Sequence, residues 1–123
     1  MQSREEAWQL LTEWTQSESL RKHALSVEAS MRYHARLQGE PEDLWGLTGL
    51  LHDFDYERHP DASEHPTVGM NHLRSLGYPE EMIQAIGGHA TYLNIPRETA
   101  LAKTLFAVDE LSGFIVAVAL TRP

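Results

Sequence analysis

Histidines and aspartates in apolar surroundings are the most chemically informative residues of this sequence. The chain has 7 histidines among 123 residues. His52 and Asp53 are adjacent at the end of an apolar segment, and Asp109 falls on one predicted helical face with Leu105 and Val116. An isolated buried carboxylate is costly, and no arginine is placed to match these two. Two core-facing carboxylates therefore indicate a bound metal ion.

The absence of cysteine limits the ligands available to such an ion. Disulfides, thiolate metal sites and cysteine nucleophiles are excluded, so a metal site must use histidine and carboxylate. His23 is a further candidate because it lies between Leu20 and Val27 on the inner face of a predicted helix. The alternative is a hydrogen-bonded core cluster of His23, His52 and Asp53 without an ion, which would leave buried negative charge to neutralise.

Helices are predicted to position these residues. Ser3 and Glu6 have the spacing of a capping box at the start of the first helix. The later helices are predicted at 19–37, from 41 into the HDFDY segment, and at 66–76, 79–89 and 97–120, with a loop over 55–64. No segment shows the period-two alternation of strands. The sequence therefore predicts an all-α, compact, single-domain bundle of about six helices over residues 1–123. The apolar C-terminus, which has no glycine cap, leaves open that the chain is truncated there.

The composition is that of an ordinary globular protein, with 41% hydrophobic and 23% charged residues. The formal net charge of −8 disfavours nucleic acid as a partner, since a phosphate backbone would be repelled. The N-terminus lacks the pattern of a signal peptide, and the longest apolar stretch, 111–120, is about half the length of a membrane span. We therefore expect a cytoplasmic protein without a membrane partner. A homodimer through the apolar end of the last helix is left open.

The order of the candidate residues carries a resemblance to a known family. His23, the His52-Asp53 doublet and, much later, Asp109 follow one another as in the H…HD…D signature. Over residues 20–117 the chain resembles the HD superfamily of metal-dependent phosphohydrolases. The HDFDYE segment is similar to that of small HDIG-like predicted hydrolases of this superfamily. The fold that the resemblance implies is an HD-domain-like helical bundle.

Two further motifs are similar to those of the subgroup with two metals. His65 begins HPTVG, which looks like the H-x-x-x-G helix start, and His89 follows Ile86-Gly87-Gly88, where it looks like the later histidine. The resemblance implies one or two divalent transition-metal ions, drawn from Mn, Fe, Co, Ni and Zn. It implies a first ion on His23, His52, Asp53 and Asp109, and a second ion on Asp53, His65 and His89.

The function that the resemblance implies is phosphoester hydrolysis. Two ions about 3.5 to 4 Å apart would clamp a phosphoryl group and lower the pKa of a bound water, which would attack phosphorus. We take His52 and Asp53 as catalytic as well as ligating, and the expected substrate is a small phosphoester such as a nucleotide. Lys103, six residues before Asp109, and Arg58, in the loop after the doublet, are the predicted substrate-binding residues.

The remaining histidines are predicted to lie outside the site. His34 lies roughly 16 Å along its helix from His23. His72 lies about 10 Å along from His65, so only one of that pair can reach the centre. We choose His65 because it matches the motif. His59 falls in a polar loop and is the alternative to His65.

Two short segments are expected to shape the mouth of the site. Asp55, Tyr56 and Glu57 follow the doublet directly and are expected to line that mouth. The Gly87-Gly88 pair would leave room for substrate beside His89. A solvated acidic loop and an ordinary helix-end glycine pair are the alternatives for the two segments.

Two other functions are consistent with the same residues. Some members of the HD superfamily with the same six-ligand pattern are mixed-valent di-iron oxygenases, and ligand identity does not separate them from hydrolases. The other alternative is a non-catalytic metal- or nucleotide-binding module, because an HD core of 123 residues could lack a lid or a substrate pocket.

Overall fold

The described part of the chain is all-helical. The computed structural model describes residues 1–121, and side chains for residues 1–112. Over that range no strand is present, so the all-α prediction is confirmed. A short 3-10 helix, Thr91–Leu93, precedes the last α-helix. The α-helices are α1 Arg4–Trp14, α2 Glu18–Gln38, α3 Glu42–Leu51, α4 Thr67–Ser75, α5 Glu80–Gly88 and α6 Ala100–Thr121.

α2, α4 and α5 begin and end within one residue of the predicted positions, whereas α6 begins at Ala100 instead of at residue 97. The Ser3 side chain accepts from the backbone N–H of Glu6 at 3.1 Å, which completes the predicted capping box. The Ser17 hydroxyl caps α2 by accepting from Leu20 N. At the other end of α2, Gly39 has a φ of 68°, a left-handed conformation that glycine adopts without strain.

α3 is the central helix. Residues 45–51 are all buried, and the helix contacts α1, α2, α5 and α6. Since its apolar side chains face neighbours in every direction, the helix has no solvent-facing stripe. His52, the residue that caps its C-terminus, is only 1% exposed. The apolar burial of α3 therefore brings an imidazole into the interior of the protein.

α2 and α3 approach each other closely at Gly49. A Cβ added at Gly49 would lie 2.9 Å from the Val27 carbonyl oxygen and 2.9 Å from Met31 Cγ, both on α2. Glycine is therefore the residue that allows this approach. The approach matters for function because α2 carries His23 and α3 leads into His52.

A carboxylate that the sequence interpretation did not consider is buried between the first helices. Glu28 of α2 is 6% exposed and accepts hydrogen bonds from Arg4 of α1, at 2.9 and 3.2 Å. It also accepts from Arg32 of α2, at 3.1 and 3.2 Å. These two arginines are thus engaged by Glu28, and the Arg4 ion pair joins α1 to α2, whereas the Arg32 ion pair lies within α2.

The connection between α3 and α4, residues 52–66, is a series of turns tied to the α1–α2 corner, in agreement with the predicted loop over 55–64. The Thr15 hydroxyl donates to the Phe54 carbonyl at 3.0 Å. Glu57 accepts from the backbone N–H groups of Gln16 and Ser17 at 2.7 and 2.8 Å. Glu57 therefore caps the α1–α2 corner, and its expected place at the mouth of the site stays a prediction.

The apolar stretch 111–120 lies within α6. α6 packs against α2 and α5. Within the described residues, no helix combines the length and the apolarity needed to cross a membrane.

We predict that Gly49→Ala destabilises the protein by about 1–3 kcal/mol, because the added methyl group must push α3 away from the Val27 backbone. Urea unfolding monitored by circular dichroism measures the change. Ser26→Ala, at an exposed position of α2, is the control and should change the free energy of unfolding by less than about 0.5 kcal/mol. Equal stability of Gly49→Ala and the control would show that α2 and α3 can accommodate the added methyl group without cost.

Candidate metal centre

Six side chains of metal-ligand type form two groups of three. Within each group, one potential ligand atom per residue lies within 4.8 Å of the other two. The residues come from α2, α5, α6, the end of α3 and the loop before α4. The first group is His23, His52 and Asp109, and the second is Asp53, His65 and His89.

The first group converges on one oxygen atom. Oδ1 of Asp109 lies 3.2 Å from Nε2 of His23 and 3.2 Å from Nε2 of His52. The two imidazole rings meet edge to face, with centroids 5.1 Å apart. Residues separated by up to 86 positions in the chain thus present three donor atoms to one point.

The second group is organised around Asp53. Its Oδ1 lies 3.1 Å from Nε2 of His65 and 3.2 Å from Nε2 of His89. Its other oxygen, Oδ2, lies 3.9 Å from Nε2 of His52, which belongs to the first group. The Asp53 carboxylate therefore reaches both groups.

All four histidines direct Nε2 toward a carboxylate. At His52, His65 and His89 the Nδ1 partner is a carbonyl or carboxylate oxygen, which can only accept, so Nδ1 carries a proton and Nε2 is the atom that a metal would bind in place of its proton. At His23 the Nδ1 partner is the Ser112 hydroxyl, which can donate or accept. In chain order from His23 to His89, the Nδ1 partners are Ser112 Oγ at 3.5 Å, Gly49 O at 2.7 Å, Asp55 Oδ1 at 2.6 Å and Ile86 O.

This donor set fits a divalent transition metal. Four imidazoles and two carboxylates, with no thiolate, suit Mn²⁺, Fe²⁺, Co²⁺, Ni²⁺ or Zn²⁺. Metal-binding histidines almost always donate their other ring N–H to a carbonyl, a carboxylate or water, which is the arrangement found at His52, His65 and His89.

The imidazoles and carboxylates of the two groups each stabilise the charged form of the other. Burial lowers the pKa of His52, but the carboxylates of Asp53 and Asp109 have the larger combined effect and raise it to about 9. Burial likewise lowers the pKa of His65, and hydrogen bonds to Asp53 and Asp55 raise it to about 9. Without a cation, the carboxylates therefore hold these imidazoles protonated at neutral pH.

The carboxylates respond in the opposite sense. Burial raises the pKa of Asp53, but the charge on His52 and the hydrogen bonds from His65 and His89 take it well below its usual range. The pKa of Asp109 is also lowered, against the effect of burial, by its hydrogen bonds with the first-group histidines. Both carboxylates are therefore ionised at neutral pH, as ligands of a cation must be.

The comparison with protein families agrees with this geometry. Residues 20–113 match the HD domain family. The chain belongs to the HD domain family. The HD domain is characteristic of a superfamily of metal-dependent hydrolases, and the predicted membership of the chain in that superfamily is confirmed. No curated protein matches the chain, and no solved structure matches it.

The HD-domain carboxylates are partly buried, with the side chains of Asp53 and Asp109 28% and 27% exposed. The expectation that both face the core is therefore met in part. Three of the imidazoles are more deeply placed, since the His52, His65 and His89 side chains are 0%, 10% and 7% exposed. The His23 side chain is 25% exposed, so it lies within reach of solvent together with the two carboxylates.

The other histidines lie outside both groups. His59 pairs with Glu64, with Nδ1 at 2.9 Å from Oε2. His72 packs against the Trp14 ring, with centroids 4.8 Å apart. His34 contacts Tyr33. Of the three histidines considered for the second group, the structure brings only His65 to Asp53.

The two predicted substrate-binding cations do not contact either group. Arg58 donates to the Glu13 carbonyl at 3.1 Å and lies over the Trp14 ring at 4.5 Å, so its guanidinium is engaged on α1. This placement contradicts a role for Arg58 at the site. Lys103 is exposed and lines a groove with Gln38 and other residues of α2 and α6. Its contact with substrate stays a prediction.

The Gly87-Gly88 pair does not leave room for substrate. A Cβ added at Gly87 would lie 2.5 Å from Ile95 Cδ1 and 2.8 Å from Met70 Cε. At Gly88, the space is taken by the Arg97 side chain, which also donates to the Gly88 carbonyl at 2.7 Å. These glycines instead let the 89–99 segment of the HD domain pack on α5.

Sequence reasoning missed the role of Asp55, which was expected at the solvent-facing mouth. Asp55 is 1% exposed. Its Oδ1 accepts from His65 at 2.6 Å, and its Oδ2 accepts from Gly69 N at 2.9 Å. Helical spacing gave no signal for this role, because His65 lies before α4, which begins at Thr67, and Gly69 lies within it.

We predict opposite pH trends for stability and for metal binding. The pKa of about 9 for His52 and His65 in the folded state is above the ordinary value of 6.5. In the metal-free protein, their contribution to the free energy of unfolding is therefore complete below pH 6.5 and is lost as the pH rises through about 9. Because a cation must displace these protons, affinity for Mn²⁺ should rise over the same interval.

Thermal melts of the metal-free protein and Mn²⁺ titrations between pH 6.5 and 9 measure the two trends. An affinity for Mn²⁺ that does not change with pH would contradict displacement of protons from these imidazoles.

Proposed function

We propose that this HD domain protein is a metal-dependent phosphohydrolase that cleaves a small phosphoester, such as a nucleotide. The observation that carries the proposal is the Asp53 carboxylate, whose two oxygens face different groups of imidazoles. A carboxylate in this position is suited to join two cations, with His23, His52 and Asp109 on one and His65 and His89 on the other. Cations paired in this way characterise many enzymes of phosphoester cleavage.

Divalent ions bound there would supply Lewis acidity and would lower the pKa of a bound water. The chain's own residues prepare the site in two ways. The Nδ1 hydrogen bonds hold each imidazole with Nε2 toward the carboxylates. Burial of His52 behind Asp53 and Asp109 keeps solvent from that imidazole, while the two carboxylates and His23 remain partly exposed.

The charge of the surroundings favours a substrate of modest charge. The chain has a formal net charge of −8, and Arg58 and Arg97 are occupied by backbone carbonyls and aromatic rings. The bound cations would therefore have to meet most of the negative charge of the substrate. A phosphate monoester is better suited to this site than a polyphosphate.

Two tyrosines flank the second group and are suited to the organic part of the substrate. The Tyr56 ring lies edge to face with the His65 ring at 5.4 Å, and the Tyr92 hydroxyl donates to the His65 carbonyl. Burial and the carboxylates of Asp55 and Asp53 raise the pKa of the Tyr92 phenol. Tyr56 and Tyr92 are 42% and 48% exposed, so their rings remain accessible to a ligand.

The first test is hydrolysis of a panel of phosphate monoesters by the Mn²⁺-loaded protein. Asp53→Ala should lose both ions and reduce kcat/KM by about 100- to 1,000-fold, because several kcal/mol of charge stabilisation depend on them. Glu110→Ala, an exposed carboxylate next to Asp109, is the matched control and should keep the activity. An Asp53→Ala protein with its full metal content would contradict the bridging role.

The same preparation separates the other functions. Oxygen consumption by the iron-loaded protein, with an EPR-active Fe(II)/Fe(III) pair and no phosphoester turnover, would contradict the proposal and identify an oxygenase. Nucleotide binding without turnover at full metal occupancy would identify a non-catalytic module.

We further predict that Tyr56→Ala raises KM for an aromatic phosphate monoester by about 5- to 10-fold, with little change in kcat, since loss of a ring contact costs about 1 kcal/mol. Tyr33→Ala is the control, because Tyr33 is 53% exposed and contacts His34 outside both groups. Steady-state kinetics on an aromatic and an aliphatic monoester measure the effect. Equal effects of Tyr56→Ala on both substrates would argue against contact between this ring and an aromatic group.

A further inference from the structure

Asp55 is a buried carboxylate that belongs to neither group of ligands. Its side chain is 2% exposed, and it lies in the loop two residues after Asp53. Asp53 and Asp55 therefore differ sharply in surroundings, since the Asp53 side chain is 28% exposed. A buried carboxylate needs partners on both oxygens, and those partners indicate what Asp55 does.

Both oxygens of Asp55 are engaged by the start of α4. Oδ1 accepts from His65 Nδ1 at 2.6 Å, and Oδ2 accepts from the backbone N–H of Gly69 at 2.9 Å. A Cβ added at Gly69 would lie 2.9 Å from both Cγ and Oδ2 of Asp55. Gly69 thus supplies the second donor and the space, so the carboxylate has one orientation in which it can serve His65.

His65 differs in this respect from the other three histidines of the centre. His52 and His89 direct Nδ1 to backbone carbonyls, and His23 directs it to a hydroxyl. Only His65, among these four, has a carboxylate as its Nδ1 partner. A carboxylate raises the basicity of a ligating imidazole more than a neutral acceptor does, which strengthens the bond of the opposite nitrogen to a metal.

From this geometry we infer that Asp55 is a positioning residue, which holds His65 with Nε2 toward Asp53 and strengthens cation binding at the Asp53, His65 and His89 group specifically. The inference rests on the metal binding that the proposed function requires. It adds a difference between the two groups, because Asp55 hydrogen-bonds to a histidine of the second group and no histidine of the first group has a carboxylate beside Nδ1.

The test uses Mn²⁺ alone as the probe, with the free ion counted by EPR during titration of the full chain. Asp55→Asn keeps the shape of the side chain but has one carbonyl oxygen, so it cannot accept from both His65 and Gly69. We expect one Mn²⁺-binding step to weaken by about 10- to 100-fold, as is typical when the partner of a ligating histidine is altered, and the other step to change by less than about twofold.

The control is Glu57→Gln, in the same loop. Glu57 also accepts from two backbone N–H groups, but these belong to Gln16 and Ser17 at the α1–α2 corner. This variant disrupts a comparable pair of hydrogen bonds, since the amide keeps one accepting oxygen, and Glu57 hydrogen-bonds to no candidate ligand. It should therefore leave both Mn²⁺-binding steps unchanged, even if it lowers the melting temperature.

A double-mutant cycle with His65→Ala separates positioning from general stability. If Asp55 acts through His65, Asp55→Asn should cause no further loss of Mn²⁺ affinity in the His65→Ala background. The inference would be overturned if Asp55→Asn weakened both Mn²⁺-binding steps equally. It would also be overturned if Asp55→Asn had its full effect in the His65→Ala background, or if His65→Ala bound Mn²⁺ as well as the unaltered protein does. Because none of these measurements uses a phosphoester, the inference can stand if hydrolysis is not found, and can fail where hydrolysis is found.

Discussion

α3 is enclosed by four other helices, and its last turn delivers His52 to the edge of the apolar core. A ring that is 1% exposed must find partners for both nitrogens inside the protein. Nδ1 has the Gly49 carbonyl, whereas Nε2 faces only carboxylate oxygens, from Asp109 and Asp53. This requirement brings α6 and the loop after α3 to the same point, where α2 contributes His23. The arrangement of the metal centre therefore follows from satisfying one buried imidazole.

The distribution of charge explains why the candidate centre is suited to cations. Two arginines of the first helices, Arg4 and Arg32, are used by Glu28, a buried carboxylate of α2 that belongs to neither group. Asp53 and Asp109 have imidazoles as their partners instead. An imidazole can release its proton to make way for a metal, which a guanidinium cannot do. The ion pairs of Glu28 with arginine are therefore permanent and structural. The ion pairs of Asp53 and Asp109 with histidine can instead give up a proton when a cation binds.

Asp53 and Asp55 show how two carboxylates of one short segment come to have different roles. In the turns after α3, Asp53 faces the opening between the helices, and Asp55 faces the start of α4. The first is then surrounded by Nε2 atoms, and the second by Nδ1 of His65 and the Gly69 N–H. The segment from His65 to Gly69, where α4 begins, therefore serves the Asp55 carboxylate as well as the centre itself.

The helices, their caps and the order of the six candidate ligands follow from the sequence by itself, because helical periodicity and capping depend on residues within a few positions of one another. Burial was harder to predict. The sequence interpretation placed Asp109 in the core and Asp55 at the solvent-facing mouth, whereas the Asp109 side chain is 27% exposed and the Asp55 side chain is 2% exposed. It also placed Arg58 at the site, whereas the turns over 52–66 carry that guanidinium to Trp14. Turns have no periodicity from which to predict direction, so only the packing of this segment against α1 and α4 decided where each of its side chains lies.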